Sequence, residues 1–173
     1  MLEIIEEAKE EGRKVIVFSF YLDTIKKISK LLGNQCTEII NGSVSPKHRQ
    51  EIIDEFESAP AGRVLVSQIM AGGTGLNIQS ASVVIICEPQ IKPSIESQAI
   101  SRAYRMGQSR NVLVYRLLCS DTIDERMSGI LSKKTNVFNA FAGQSVAADN
   151  IEIDSAAFTH MIEEERKRIK ELS

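Results

Sequence analysis

The sequence predicts an α/β fold in which a parallel β-sheet is covered by helices on both faces. Residues 15–18, 64–66 and 83–87 are short, continuously apolar runs, typical of strands buried on both sides. Amphipathic helical patterns alternate with these runs, as βαβ units require. The chain has 173 residues, 43% of them hydrophobic, which is enough for one globular domain with its own core.

The first third of the chain predicts two helices. Apolar residues recur at helical spacing over residues 2–8, and Gly12 follows where a left-handed helix end is expected. Asp23 or Thr24 can cap the second helix, and Gly33 ends it.

The middle of the chain continues the alternation. Residues 37–40 are predicted to form a strand, and Ser45 caps a helix that has Pro46 in its first turn. Three apolar residues form the predicted buried side of this helix: Ile52, Ile53 and Phe56.

The remainder predicts a helix at about residues 94–104, a strand at 112–118 and a helix opening at Asp121 or Thr122. We predict a first domain over residues 1–131 and a partly irregular extension over 132–173. The extension is expected to end in an amphipathic helix with five apolar residues: Phe158, Met161, Ile162, Ile169 and Leu172.

Composition excludes several classes of protein. The formal charge of -2 excludes a generally basic nucleic-acid binder, so any such contact must come from a local patch or from backbone amides. Cys36, Cys87 and Cys119 fit neither a disulfide framework nor metal-ligand spacing, and we predict that they are small buried strand residues and that there is no metal site. His48 and His160 lack partners for a catalytic triad.

No segment has the pattern of a signal peptide or the length of an apolar membrane span. We therefore expect a cytoplasmic chain with reduced cysteines and no membrane partner. The compact spacing of its motifs favours a prokaryotic source. In a prokaryote the protein would be associated with the nucleoid, and in a eukaryote it would be nuclear.

The most informative motif is Q-A-x-x-R-x-x-R-x-G-Q, over residues 98–108. Arg102 and Arg105 are three positions apart on a predicted helix and so point the same way, and guanidinium grips phosphoryl oxygens in a bidentate fork. This is the chemistry of an arginine finger. The alternative is that both arginines are solvated or form salt bridges with neighbours such as Glu96.

A glycine-rich loop, residues 71–77, follows the end of a buried strand. Ligands sit at that edge of open α/β sheets, and glycines let backbone amides approach phosphate or ribose; the alternative is a sharp turn that needs positive φ. A dinucleotide-dependent oxidoreductase is disfavoured because Ile78 stands where the third glycine of its fingerprint belongs. The phosphate loop and acidic magnesium ligand of a triphosphate site are absent, since Asp54 and Glu55 fall on a helix surface.

Taken in order, these segments resemble the second, C-terminal RecA-like lobe of superfamily-two helicases, specifically the SWI/SNF-type ATPases that translocate on double-stranded DNA. The resemblance covers about two thirds of the chain. It is carried by residues 15–20, by 40–43 with Arg49 and Phe56, by 65–67 and 72–77 with 81–86, by 98–108, by 115–117 and by 122–125. Residues 88–93 depart from the family's D-P-x-W-N-P pattern, because Glu88 replaces the aspartate and the tryptophan and asparagine are lost.

The resemblance implies a RecA-like, P-loop NTPase-like fold and roles for the arginine motif. Arg105 would be the principal finger on the γ-phosphate with Arg102 beside it, and Gln98 would orient the phosphates or link two lobes. ATP and Mg²⁺ would be held mainly by a first RecA-like lobe of the same polypeptide, absent from this chain. This chain alone is therefore expected to be inactive.

The resemblance also implies that Gly73, Gly75 and Asn77 bind the nucleotide, near the ribose and the interface between lobes. On the DNA side, five residues would hold phosphates of double-stranded DNA without reading its sequence: Gly42, Ser43, Ser67, Lys47 and Arg49. The first three are expected in loops. Lys47 and Arg49 could equally lie on a solvated helix face.

The sequence leaves other questions open. A nucleoprotein complex or RNA are alternative targets to naked DNA, and strand separation is an alternative to translocation. A reading from another class is a non-catalytic RecA-like interaction module with idle arginines, which the altered 88–93 segment favours.

Overall fold

The computed structural model describes residues 1–71, 78–90, 92–104, 110–119, 122, 128–129 and 155–171. It divides into two compact units. The first consists of Met1–Glu88 and Ile95–Leu117, and the second of Pro89–Ser94 and Leu118–Ser173. The first unit contains the sheet.

The described helices and strands follow the predicted order, except that no strand lies between the second and the third helix. In chain order they are α1 (Leu2–Glu10), β1 (Lys14–Ser19), α2 (Leu22–Leu32), a 3-10 turn (Gly33–Gln35), α3 (Pro46–Ser58), β2 (Val64–Gln68), β3 (Ala81–Ile86), α4 (Pro93–Ala103), β4 (Leu113–Arg116) and α5 (Ser155–Glu171). The four strands form one sheet in the order β2-β1-β3-β4, and every pairing is parallel. The predicted α/β fold with a parallel sheet is confirmed.

Helices cover both faces of this sheet. Ile16 and Phe18 of β1 pack in a core cluster with the buried side chains of α3 and α4, whereas Val15 and Val17 pack with those of α1 and α2. Alternate side chains of a strand point to opposite faces, so one central strand supplies both cores. The apolar runs are continuous for this reason.

The residues that end and begin helices agree with their predicted roles in three of four cases. Gly12 and Gly33 have φ of 68° and 52°, the left-handed region that glycine adopts without strain. The Ser45 hydroxyl accepts from the His48 amide at 3.3 Å and so caps α3. The predicted cap of α2 is wrong, because that helix already begins at Leu22, after Tyr21, and has no side-chain cap.

Lys14 joins β1 to the far end of α3. Its Nζ donates to the backbone oxygens of Phe56 and Glu57 at 2.9 and 2.7 Å, and it lies 5.6 Å from the centre of the Phe56 ring. A cation at the carboxyl end of a helix stabilises the carbonyls left without partners there. Partial burial lowers the pKa of Lys14 from its ordinary value.

Residues 37–40 do not form the predicted strand. Cys36, just before the segment, and Ile40 make isolated parallel bridges to Val64 and Ser67 of β2. The Thr37 and Ile40 amides donate to the Val64 and Val66 carbonyls, so the segment follows the sheet edge without forming a strand of its own.

The prediction that the three cysteines are buried strand residues is wrong for Cys119, which is exposed, and for Cys87, which is half-buried just after β3. Cys36 is buried but makes only an isolated bridge. Burial raises the pKa of Cys87 to about 12.

The described part of the second unit consists mainly of α5, which confirms the predicted final helix. Most side chains of its predicted apolar face lie outside the described residues, as do the predicted helix after Thr122 and the boundary between residues 131 and 132. Within the described ranges, no helix combines the length and the hydropathy needed to cross a membrane.

Candidate functional site

The carboxyl ends of β1 and β3 are tied together by one carboxylate. Glu88 Oε1 accepts from the Ser19 hydroxyl at 2.7 Å, and Oε2 accepts from the Phe20 amide at 3.1 Å. Ser19 is fully buried, and its hydroxyl also accepts from the Tyr21 amide at 3.1 Å. The acid that departs from the family pattern therefore has a structural role at this edge.

The loop at residues 41–44 is held in shape by side-chain amides. Asn41 Oδ1 accepts from both the amide and the hydroxyl of Ser43, at 2.8 and 2.6 Å, which is an Asx turn. Gln68 Oε1 accepts from the Gly42 amide at 3.4 Å, and its Nε2 donates to the Phe20 carbonyl at 3.2 Å. Gly42 and Ser43 are exposed, so a phosphate can reach both donors.

Arg49 is not on a solvated helix face. Its side chain is half-buried, and its Nε donates to the Val44 carbonyl at 2.8 Å. One terminal nitrogen donates to the Ala71 carbonyl at 2.6 Å, and the other to those of Asn41 and Gly42 at 3.2 and 3.4 Å. All three guanidinium nitrogens thus donate to backbone oxygens, a task that the sequence did not reveal.

Two other predicted DNA contacts fall in contrasting places. The prediction that Ser67 sits in a loop is wrong: it lies inside β2, is 1% exposed, and its hydroxyl donates to the Gln68 carbonyl at 3.2 Å. Lys47 is on a solvated helix face, with a side chain 90% exposed and Glu51 3.9 Å away. Any phosphate contact by either residue stays a prediction.

Helix α4 carries Gln98 and Arg102. Gln98 is exposed, and Arg102 is half-buried near the end of the helix. Its Nε is shielded from solvent and has no hydrogen-bond partner among the described residues, and burial lowers the pKa of Arg102. The Arg102 carbonyl accepts from the Ile78 amide at 3.1 Å, so the chain leaves the glycine-rich segment in contact with the arginine helix.

The carboxylate nearest in sequence is engaged elsewhere. Glu96 is largely buried, and its Oε2 accepts from Arg116 Nε of β4 at 2.6 Å. The sequence left open a salt bridge between Glu96 and Arg102, but no ion pair joins Arg102 to a described residue. A partly desolvated guanidinium with no carboxylate partner in the described part of the chain is suited to an incoming anion.

Several predicted site residues lie outside the described residues: Arg105, Gly73, Gly75 and Asn77. Their roles stay predictions. Within the described part of the chain, no three His, Cys, Asp or Glu side chains converge in a way that could hold a metal ion.

The sequence signal for the contacts that it failed to reveal was weak. Ser19 is the one hydroxyl in the apolar run that forms β1, and a polar side chain at the end of a buried strand requires a partner. Nothing in the sequence pointed to Glu88 as that partner, because 69 residues separate the two.

Comparison with known proteins identifies the family. The model of the helicase conserved C-terminal domain matches residues 1–107. The chain belongs to this family. A similar relative is an uncharacterized ATP-dependent helicase of Mycoplasma pneumoniae, 39% identical over 135 residues, which are 77% of this chain and 13% of that protein. An Arabidopsis thaliana SNF2 domain-containing protein, CLASSY 4, is 38% identical over 130 residues, 70% of this chain and 12% of that protein.

Solved structures narrow the assignment to the SWI2/SNF2 type. The Sulfolobus solfataricus SWI2/SNF2 ATPase core in complex with dsDNA is 33% identical, with a TM-score of 0.65 over 82% of this chain and 30% of that one. The C-terminal part of the Fun30 ATPase domain has a TM-score of 0.72 over 98% of this chain and 53% of that one; at 23% identity it shows the fold alone. This is the C-terminal RecA-like lobe of an SNF2-type ATP-dependent helicase.

This chain corresponds to only a small part of each of these relatives. It covers 13% of the Mycoplasma pneumoniae helicase and 12% of CLASSY 4. What whole proteins of this family hydrolyse, bind and move along is therefore taken up below as a proposal.

Proposed function

We propose that this lobe completes the ATP-cleaving cleft of a double-stranded DNA translocase and contributes part of its DNA phosphate-binding surface. The observation that carries the proposal is Arg102: a half-buried guanidinium whose shielded Nε has no partner among the described residues. A buried donor without a partner costs free energy, and an anionic ligand removes that cost. The relatives named as ATP-dependent helicases indicate which anion is meant.

The proposed chemistry is stabilisation of charge that grows on phosphoryl oxygens. Arg105 would contact the γ-phosphate as the principal finger, Arg102 would lie beside it, and Gln98 would orient the phosphates or link the lobes. Because the described residues include no acidic cluster suited to a metal, we assign Mg²⁺ and most contacts to ATP to a first RecA-like lobe. When bound there, Mg²⁺ would neutralise charge on the phosphates.

The glycine-rich segment is assigned to the nucleotide side. Gly73, Gly75 and Asn77 would approach the ribose near the interface between lobes. The support is that this segment ends at Ile78, whose amide donates to the Arg102 carbonyl. Ile78, the residue that follows the proposed nucleotide contacts, therefore touches the arginine helix.

The proposed DNA surface is the exposed loop at Gly42 and Ser43, with Lys47 adding charge at the start of α3. The Gly42 amide donates to Gln68, and the Ser43 amide and hydroxyl donate to Asn41. A bound phosphate would share these donors with Gln68 and Asn41 or replace them as acceptor. Contacts of this kind fix position without reading bases, so binding should be insensitive to sequence and weakened by salt. The related Sulfolobus solfataricus core bound to dsDNA supports a duplex as the partner.

Substitution of Arg105 by alanine tests the enzymatic role. In a protein that carries both lobes, we expect ATP turnover to fall on the order of 10³-fold, because transition-state charge loses its finger. Steady-state phosphate release at saturating DNA measures this. Circular dichroism of the variant serves as the folding control, and turnover close to that of the unaltered protein would refute the role.

A non-catalytic interaction module is the second candidate, favoured by the altered 88–93 segment. Glu88 weakens that argument, because its carboxylate holds Ser19 and Phe20 and so explains why an acid is kept there. Mixing this chain with a separately produced first lobe separates the two functions. DNA-stimulated hydrolysis by the mixture, absent from either part alone, is expected of the enzyme and not of the module.

A further inference from the structure

Ala71 and Ile78, at the two ends of the glycine-rich segment, each form a hydrogen bond with an arginine of the first unit. Where it begins, the Ala71 carbonyl accepts from an Arg49 terminal nitrogen at 2.6 Å. Where it ends, the Ile78 amide donates to the Arg102 carbonyl at 3.1 Å. The first anchor belongs to the helix beside the proposed DNA loop, and the second to the helix with the proposed finger.

Arg49 belongs to helix α3, which is held firmly in place. Helix α3 is fixed on the sheet by Ile52, Ile53 and Phe56, all at most 2% exposed, and Ser45 caps its start. Arg49 therefore leaves a helix that cannot easily shift. Its guanidinium contacts two separate segments of backbone, the loop at residues 41–44 and Ala71.

Only arginine suits this position. Guanidinium presents N–H donors on three nitrogens in a rigid plane, whereas the ammonium of lysine is a single point of attachment. With Nε on Val44, one terminal nitrogen on Ala71 and the other on Asn41 and Gly42, the plane fixes the distance between the two segments. A direct phosphate contact would compete with these bonds.

We propose that Arg49 is a positioning residue that couples the DNA-contacting loop to the glycine-rich segment. It acts through backbone oxygens and not by touching DNA. When a phosphate moves the loop at Gly42 and Ser43, the shared guanidinium moves Ala71 with it. The inference deepens the proposed function and rests on it for the identity of the partner at the loop.

The first test measures hydrogen exchange of backbone amides in the unbound chain. Arg49→Lys keeps the charge but cannot bridge the two segments, so exchange should accelerate at least about tenfold at residues 42–44 and near Ala71, as expected for losing hydrogen bonds from a charged donor. Amides in the central strands should not change. The matched control is Gln50→Ala, the next residue on the same helix, whose exposed side chain donates to Asp54 at 2.7 Å. This variant should leave exchange at these amides unchanged.

The second test separates positioning from direct phosphate contact by the salt dependence of DNA affinity. Anisotropy of a labelled duplex gives the dissociation constant over a range of salt concentrations. We expect Arg49→Lys and Arg49→Gln to weaken binding about tenfold with the slope against salt unchanged, whereas loss of a phosphate contact lowers that slope by about one. A lower slope for Arg49→Gln, together with unaltered exchange in Arg49→Lys, would overturn the proposal.

Two further outcomes are informative. If the unaltered protein does not bind duplex DNA, the proposed function fails and the DNA half of this inference fails with it, while accelerated exchange would still establish the link between segments. If both variants unfold, NMR of the unaltered chain tests the proposal through the exchange rate of the Arg49 Nε proton. A slowly exchanging Arg49 Nε proton supports the bridge, and rapid exchange with solvent refutes it.

Discussion

Arg49 and Arg102 are both half-buried arginines beside the same glycine-rich segment, yet their surroundings are opposite. Arg49 donates from all three nitrogens to backbone oxygens, whereas the shielded Nε of Arg102 has no acceptor among the described residues. Burial of a charged donor is tolerated when its hydrogen bonds are made and is costly when they are not. Under the proposed function, Arg49 would build the site and Arg102 would receive the ligand.

The largest effect that this comparison predicts is on catalysis by Arg102. In the two-lobe protein, Arg102→Ala should lower ATP turnover on the order of 10³-fold, as for loss of a finger. The free energy of unfolding should change by no more than about 1 kcal/mol, because no bond from the Arg102 side chain to a described residue is lost. Phosphate release and chemical denaturation of the same preparation measure the two quantities.

The matched control for Arg102 is Ser101→Ala on the same helix. Ser101 is exposed, and its hydroxyl donates only to the Gln98 carbonyl, at 2.7 Å. Turnover should therefore stay near that of the unaltered protein. The contrast between the two arginines breaks down if Arg102→Ala unfolds the lobe or leaves hydrolysis intact.

A smaller effect is expected where the Arg49-supported loop meets DNA. A Cβ at Gly42 would meet only Gln68 Oε1, at 3.9 Å, and the backbone there is not left-handed. Gly42→Ala should therefore keep or raise stability by up to about 1 kcal/mol by restricting the unfolded chain. The methyl group should nevertheless keep a phosphate from the amide and weaken duplex binding about tenfold.

Thermal unfolding and duplex anisotropy measure these two consequences of Gly42→Ala. Unchanged affinity would show that the loop is shaped by Arg49 for some purpose other than phosphate binding.

The smallest effect concerns His48, a histidine of α3 whose side chain is 44% exposed. Its ring nitrogens lie 2.9 Å from Glu51 and from Glu38, with Lys47 nearby on Glu51. Hydrogen bonds to Glu51 and then Glu38 raise the pKa of His48 above its ordinary 6.5. A raised folded-state pKa means that stabilisation is complete below about pH 6.5 and is lost as pH rises through the folded value.

His48→Gln should remove this pH-dependent part of the stability. Denaturation midpoints of variant and unaltered chain, compared from about pH 6 to pH 8 where an imidazole titrates, give the test. Identical pH dependence in the two proteins would mean that the bridge to both carboxylates does not form in solution.

Much of the fold could be predicted from local patterns. The runs that became β1, β2 and β3 are continuously apolar because both of their faces are buried, and Gly12 and Gly33 stand where helices end in positive φ. Residues 37–40 were also predicted as a strand, but only Ile40 among them makes a bridge to the sheet edge. Local composition therefore predicts which residues are buried better than it predicts which segments pair as strands.

The site was predictable in its motifs and not in its contacts. The spacing of the arginine motif located Arg102 on a helix, but the partner of Glu96 turned out to be Arg116, which is 20 residues away. Arg49 was read as a charge near DNA, although its acceptors include Ala71, 22 residues on. Bonds between distant parts of the chain are set by the packing of whole elements, and no local pattern encodes them.

Lys14 holds the carboxyl end of α3 against the sheet. One end of this helix carries the guanidinium that grips the loop, and the other is clasped by an ammonium group rooted in the central strand. A helix held at both ends transmits a pull along its axis and does not rotate about one end. In the proposed translocase, a pull by the duplex on the loop would pass along α3 to β1, an inner strand of the sheet.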